Sequence, residues 1–295
     1  MTETAFDVQG QIAQLWIYPV KSCAGIAVQQ AVLTRHGLQW DRHWMVVDPQ
    51  GEFLTQRSHP RMALIRPEIA EEHLLLHFPG QEPLQVPLQA GGGLRRARVW
   101  KDTVQAWDLG EWSEAARQWL SRALQTDCAL VRFDPAQARQ ANEHWAGDDD
   151  APVHFADGYP LLVLSDAAVE DLNQRLAQAG EAAVDVRRFR PNIVIAGVQA
   201  HDEDLVEQLQ VQELPGVRLR PCKPCTRCPI PDIDPETGVP GTAVGDAMRA
   251  YRQDPRMDGA ITFGMNAVVL GVDAEDGRAP VLAVGQTLAG DLQFA

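Results

Sequence analysis

The first hundred residues of this chain are cut into short apolar or alternating runs, each closed by a turn. Ile12 to Tyr18, Ala27 to Leu33, Trp44 to Val47, Met62 to Ile69, Leu74 to Phe78 and Arg98 to Trp100 are the runs. Asp48-Pro49-Gln50-Gly51 and Phe78-Pro79-Gly80 punctuate them. Alternation with period two buries one face of a strand, and Pro and Gly end it by removing a donor or admitting a turn conformation. Short strands at this regular spacing predict a barrel or a sandwich.

Helices enter later. Glu111 to Leu124 places Trp112, Ala115, Ala116, Trp119 and Leu120 on one helical face. Cys128-Ala-Leu-Val-Arg-Phe133 reads as a strand with Cys128 in the core. Asn142 to Pro152 contains Gly147-Asp-Asp-Asp150, is acidic and aperiodic, and reads as an exposed loop or linker. Leu161 to Leu164 reads as a strand, followed by a helix that Ser165 caps and that ends near Gly180. Asn192 to Ala196, Val217 to Leu219, Ile261 to Leu270 and Val281 to Val284 read as strands, and Gly245 to Gln253 as a shorter helix. No βαβ rhythm carries a Gly-rich phosphate turn, which disfavours a dinucleotide-binding fold. The whole predicts an α+β, predominantly β chain.

Hydrophobic content of 45% and charged content of 22% are those of a globular protein. No run approaches the ~20 apolar residues of a membrane span, and Met1 to Gly10 has no apolar signal core, so a cytoplasmic setting is expected. The net charge of −14 argues against nucleic acid and anionic membrane as general partners. The sparse basic residues therefore matter. Lys21, Arg42, Arg57, Arg190 and Arg227 sit beside turns or apolar runs, a distribution that suits one small anionic ligand or, equally, scattered surface cations.

Three of the five cysteines fall in Pro221-Cys222-Lys223-Pro224-Cys225-Thr226-Arg227-Cys228-Pro229. An odd count without a secretion signal argues against a disulfide framework. A structural zinc wants a second ligand pair, and none is nearby. An iron–sulfur cluster wants a fourth thiolate, which Cys23 or Cys128 would have to supply. A disulfide within the stretch stays open, while no His stands in a recognisable pairing for a nucleophilic Cys. The remaining option is one thiolate on a soft metal whose other ligands come from a cofactor. The Pro-rich surroundings would hold such a ligand rigidly, and Arg227 beside Cys228 favours the thiolate.

Cys225-Thr226-Arg227-Cys228, followed by Asp234-Pro235-Glu236-Thr237-Gly238, resembles the signature of MOSC-domain proteins, the molybdenum cofactor sulfurase C-terminal domain superfamily. The resemblance extends to the mitochondrial amidoxime-reducing component and its bacterial relatives. Tyr18-Pro19-Val20-Lys21-Ser22-Cys23, Gly37-Leu38 with Asp41-Arg42-His43-Trp44, Thr55-Gln56-Arg57 with Pro60-Arg61 and Leu64-Ile65, and Phe189-Arg190-Pro191-Asn192-Ile193-Val194-Ile195 resemble its other blocks, in the family's order. The resemblance implies an N-terminal MOSC β-barrel-like region over 1–135. It implies a MOSC domain with a mixed β-barrel and flanking helices over 136–295. Between them would lie a pterin-based molybdenum cofactor (molybdenum-molybdopterin). Cys228 would be the metal ligand and catalytic residue, and Cys225 a neighbour. Cys222 has no counterpart. Lys21, Ser22, Arg42, Arg190, Asn192, Thr226 and Arg227 match cofactor-contacting positions. Gly158 and Tyr159 fall at such positions with different residue types, and Asn266 sits where relatives carry an aromatic. Asp234 to Gly238 reads as a structural turn.

The implied activity is reduction of small N-hydroxylated compounds such as amidoximes, hydroxylamines and N-hydroxylated nucleobases by oxo transfer at molybdenum. The last segment, Val281 to Phe294, reads as the end of the barrel and lacks the cysteines of an iron–sulfur domain. A separate electron donor is therefore expected, such as a ferredoxin with its reductase. The basic run Leu94 to Lys101 reads as a solvated strand face that could also dock an acidic donor. The alternative function is a carrier that binds the cofactor without turnover. The chain has no pyridoxal-phosphate domain, which argues against its sulfurating the cofactor alone.

Overall fold

A computed structural model describes residues 6–272 and 278–293; Phe294 lies outside them. Seven strands close into a mixed barrel. Leu161–Ser165 runs parallel to Ile193–Ala196. Going round, Val8–Ile17, Thr287–Gly290, Leu209–Val211, Arg218–Thr226 and Ala260–Leu270 follow with antiparallel pairing, and Ala260–Leu270 pairs back onto Leu161–Ser165. Ile12, Leu15, Leu161, Val163, Ile193, Leu219, Val269 and Leu288 fill the interior, each buried Leu or Ile contributing about 1.5–3 kcal/mol over exposure. The parallel pair needs a crossover, and helix Asp166–Gln178 supplies it. Ser165 caps that helix as expected, its hydroxyl accepting from Ala168 N at 3.3 Å.

The remaining N-terminal strands build a second unit. Trp44–Val47, Ala129–Phe133, Asp102–Trp107 and Leu94–Val99 form one sheet, and Arg66–Ala70, His73–Phe78 and Gln81–Pro87 another. Helix Ser113–Leu124 packs into the core they share with Leu74, Leu76, Leu84 and Cys128. A sequence division at residue 135 is not a spatial one for the first strand. Val8–Ile17 hydrogen-bonds to Ile193–Ala196 and Thr287–Gly290, at the far end of the chain.

Several expectations need correcting. Met62 to Ile69 is not one strand: Pro60 opens a 3-10 turn over Pro60–Leu64, and only Arg66–Ala70 is extended. The buried helix face is Ala116, Trp119, Leu120, Ala123 and Leu124, while Trp112 and Ala115 face solvent. Trp112 falls in a preceding 3-10 turn, which shifts the angular register. Asn142 to Pro152 is partly ordered. Asn142 caps helix Glu143–Ala146, and Arg220 pairs with Asp149 at 2.5 Å. The helix expected over Gly245 to Gln253 is Ala243–Arg249.

The largest correction lies at the cysteines. The strand expected to end at Leu219 runs on to Thr226, through Pro221 and Pro224. Proline removes a ladder donor. The register against Ala260–Leu270 shifts between Pro221 and Lys223 and again between Pro224 and Thr226, which absorbs both prolines. Among the described residues, no helix is long and apolar enough to cross a membrane.

Gly37 shows why one family-like block is needed. Its φ is +95°, and a Cβ there would run into the carbonyl oxygen of Pro160. Glycine lets the Gly37–Leu38 turn press directly on the segment that carries Gly158 and Tyr159.

Candidate functional site

The turn that follows the first barrel strand meets the end of the Arg218–Thr226 strand around a cavity of about 120 Å³. Lys21, Ser22, Arg42, Gly158, Tyr159, Arg190, Asn192, Thr226, Arg227, Cys228 and Asn266, the residues singled out in sequence, all line it. Of the sparse cations, Arg57 alone stays out of this lining. It stacks on the Trp100 ring at 4.6 Å.

Backbone strain concentrates here. Ser22, Arg42 and Arg190 have φ of 64°, 51° and 58°, the left-handed region that side chains other than glycine rarely occupy. Neighbours hold each in place. Gln56 donates to Ser22 O at 2.8 Å, which explains the Thr55-Gln56-Arg57 block. Arg42 N donates to Tyr18 O at 2.8 Å, and its guanidinium forks onto both oxygens of buried Asp41 at 2.6 Å. Arg190 donates to Cys23 O at 2.5 Å. The Arg42 and Arg190 guanidiniums each lie 4.3 Å from the Tyr18 ring centroid, so two cations share one aromatic ring.

Lys21 is 4% exposed. Its ammonium donates to Phe155 O at 2.8 Å and ion-pairs with Asp157. Burial pushes its pKa below the usual lysine value, and Asp157 opposes that. At Asp157, whose side chain is 72% exposed, what desolvation there is raises the pKa, but the Lys21 ammonium and the Trp100 indole outweigh it, leaving the carboxyl well below the usual range. Arg190 carries no carboxylate partner among the described residues. Desolvation and then the nearby Arg42 both lower its pKa. Two like charges held together without a full set of counter-charges make the cavity receptive to an anion.

The three clustered cysteines do not behave alike. Cys225 and Cys228 line the cavity. Cys222 packs with Ala141, Ala146, Tyr159 and Val268, donates to Asn266 O at 3.5 Å, and burial pushes its thiol up to about 11. Burial also raises the Cys225 thiol. Among the described residues, no group of three or more His, Cys, Asp or Glu is placed to hold a metal.

Two named residues are already spent on the protein. The Asn192 amide accepts from Leu162 N at 3.1 Å and donates to Trp16 O at 3.2 Å, stitching barrel strands together. Arg227 donates to Phe263 O and to Phe189 O at 3.0 Å, so its hydrogen bonds go to the barrel and not to the Cys228 thiol. Both shape the wall. Asn266 donates to Lys223 O at 3.3 Å and so fixes the strand before Cys225. Asp234 to Gly238 is a turn as read: Asp234 Oδ1 accepts from Glu236 N and Thr237 N, each at 2.9 Å.

Sequence reasoning missed Asp157 and Arg188 as lining residues. Arg188 pairs with Asp234 of the signature turn at 3.0 Å, a contact between segments distant in the chain that the sequence does not announce. Asp157 carries no signal either, because its partner Lys21 lies far away in the chain.

The rim of a closed mixed barrel thus brings the Cys225 and Cys228 thiols together with Lys21, Arg42, Arg190 and Arg227, a setting whose charge suits an anionic ligand. The domain profiles agree with the architecture. The MOSC N-terminal beta barrel domain profile matches residues 9–127, and the MOSC domain profile residues 150–289. Mitochondrial amidoxime-reducing component 1 of Mus musculus is 37% identical over 241 residues, covering 78% of this chain and 67% of that protein. Its Homo sapiens counterpart is 34% identical over 258 residues, covering 83% and 73%. The crystal structure of the YUAD protein from Bacillus subtilis aligns over 95% of this chain and 94% of that one, at 11% identity and a TM-score of 0.40. The chain is a MOSC-domain protein and belongs to the family of the amidoxime-reducing components.

Proposed function

We propose that this protein is a molybdenum-cofactor-dependent reductase of small N-hydroxylated compounds. The observation that carries it is the convergence, on one cavity, of the Cys228 thiol with Lys21, Arg42, Arg188, Arg190 and Arg227. The relatives' name, amidoxime-reducing component, supports an N-reductive role.

The residues fit a phosphate-bearing pterin with an exchangeable metal position. The strained Arg42–Tyr18–Arg190 stack offers two guanidiniums, one of them without a carboxylate. The Tyr18 ring beneath them is buried, so it fixes where the two guanidiniums stand. Cys228 would hold the metal, Arg42 and Arg190 the anionic groups, with Lys21 and Ser22 completing the wall. When bound, the molybdenum cofactor supplies the two-electron chemistry that cleaves the N–O bond. Overall, an N-hydroxyl group, two electrons and two protons become an N–H group and water. Asp157, kept ionised by Lys21, accepts hydrogen bonds at the mouth and orients the substrate's N–H or O–H.

Electrons come from a separate donor protein, such as a ferredoxin with its reductase. Leu94, Arg96 and Arg98 alternate outward on the hairpin beside the mouth, as a solvated face. An acidic donor would land there. The rate with protein donor then falls as ionic strength rises, while the rate with a small artificial reductant does not. Equal salt dependence for both removes the docking face.

The activity test is reduction of benzamidoxime by chain loaded with molybdenum cofactor and given an artificial reductant. Turnover with near one molybdenum per chain supports the reductase. Stoichiometric binding without turnover marks a carrier.

A further inference from the structure

A second cleft of about 960 Å³ opens directly off the cavity and shares Asp157, Gly158 and Tyr159 with it as common wall. We propose that this cleft is a subsite for an anionic tail on a planar N-hydroxylated substrate, with a phosphate or carboxylate held by Lys101 and Lys223 and the ring laid against Trp100 and Tyr159. The inference rests on the reductase reading and adds the class of substrate it takes.

Trp100 sits in the two-residue turn between Leu94–Val99 and Asp102–Trp107. It is 41% exposed, an unusual position for so large an apolar ring, and its φ is +55°. The indole donates to Asp157 Oδ1 at 3.1 Å, and Phe53 packs on the ring at 5.2 Å. Arg57 also stacks on this ring at 4.6 Å, so the indole is held in place at the boundary between cleft and cavity and only its exposed part is left for a ligand. Tyr159 forms the common wall, with Lys223 Nζ 5.7 Å above its ring.

The cations on the cleft wall divide into two kinds. Arg98 is paired with Glu52 at 3.3 Å, and Arg139 with Asp102 at 3.0 Å. Lys101 and Lys223 carry no carboxylate partner among the described residues, against one unpaired carboxylate on the wall, Glu143. A chain of net charge −14 repels anions at long range, so two uncompensated ammoniums beside the reaction cavity form a local exception. Ammonium groups act as point charges and tolerate varied anion geometry. Lys223 precedes Cys225 on the same strand, which ties the subsite to the cavity by rigid backbone.

The test uses the full chain loaded with cofactor and an artificial reductant, so that donor docking plays no part. Its substrates are 6-hydroxylaminopurine riboside, its 5′-monophosphate, benzamidoxime and 4-carboxybenzamidoxime. The monophosphate is expected to exceed the riboside about tenfold in kcat/KM, through KM, because a steered, charge-paired substrate gains affinity. In the Lys101→Gln/Lys223→Gln double variant, and at ~0.5 M salt, the ratio should fall to about one. A matching gain for the carboxylate supports a subsite that reads charge alone; a gain for the phosphate only assigns it to phosphate. A ratio of one or below in the wild type, or an unchanged ratio in the double variant, overturns the subsite. If neither neutral substrate is turned over, the reductase reading fails. Equilibrium binding then decides the subsite: adenosine 5′-monophosphate must bind the wild type more tightly than adenosine does, and the double variant must lose that difference.

Discussion

Cys228→Ser is expected to empty the metal site. Molybdenum should fall from near one per chain to background, and benzamidoxime reduction by at least ~10³-fold, because the variant removes the one protein ligand that the proposed function assigns to the metal. Cys222→Ser and Cys225→Ser should keep the metal. Cys222 is turned into the apolar cluster around Tyr159 and donates to Asn266 O. Cys225 also lines the cavity, but burial raises its thiol pKa, which disfavours the thiolate a metal would need. Cys228 is only partly buried, so its replacement should leave the thermal midpoint of the metal-free chain within about 2 °C. Metal analysis and a melt read both effects. Equal loss of metal in all three variants would sink the single-ligand reading in favour of a thiol cluster.

The largest stability loss is expected from Arg139→Met. This side chain is 3% exposed. It pairs with Asp102 at 3.0 Å and donates to the carbonyls of His154 and Ala156, the latter at 3.0 Å. Methionine fills similar space and leaves a carboxylate and two carbonyls without their donor, which costs about 3–5 kcal/mol. For a chain of this size that lowers the melting temperature by roughly 5–10 °C. Arg139→Lys should recover part of it through the Asp102 pair. The segment it anchors runs on to Asp157, the partner of Lys21, so cofactor retention should weaken in the same order as stability. A melt unchanged to within 1 °C would show that the pair and the two carbonyls find other partners.

Much of the scaffold was legible from period and punctuation. Trp44–Val47 and Ala260–Leu270 fall where the apolar runs put them, and Ser165 caps its helix. Failures occur where a local rule is overridden by a distant partner. Leu209–Val211 is too short to carry a pattern, and is a strand because Thr287–Gly290 and Arg218–Thr226 flank it. Pro221 and Pro224 signal a turn, yet Ala260–Leu270 pairs alongside and bulges accommodate them. Trp112 has the spacing of a core residue, but the 3-10 turn it occupies rotates it to solvent.

At the candidate site the division is finer. The blocks that resemble the MOSC family singled out Cys228, Lys21, Arg42 and Arg190, and all four line one cavity; residue chemistry and spacing alone left the cysteines and the cations open to other readings. Which thiols face the cavity, which arginines remain available to an anion and which are consumed by backbone carbonyls depends on where side chains point. Arg42 and Arg190 share Tyr18, Arg227 is tied to Phe189 and Phe263, and Lys21 meets Asp157 only because strands from both ends of the chain close one barrel. Chain order carries no record of those directions. The closure of the barrel sets them, since it brings a turn near residue 20, a loop near residue 157 and the end of a strand at residue 226 within hydrogen-bonding and van der Waals reach.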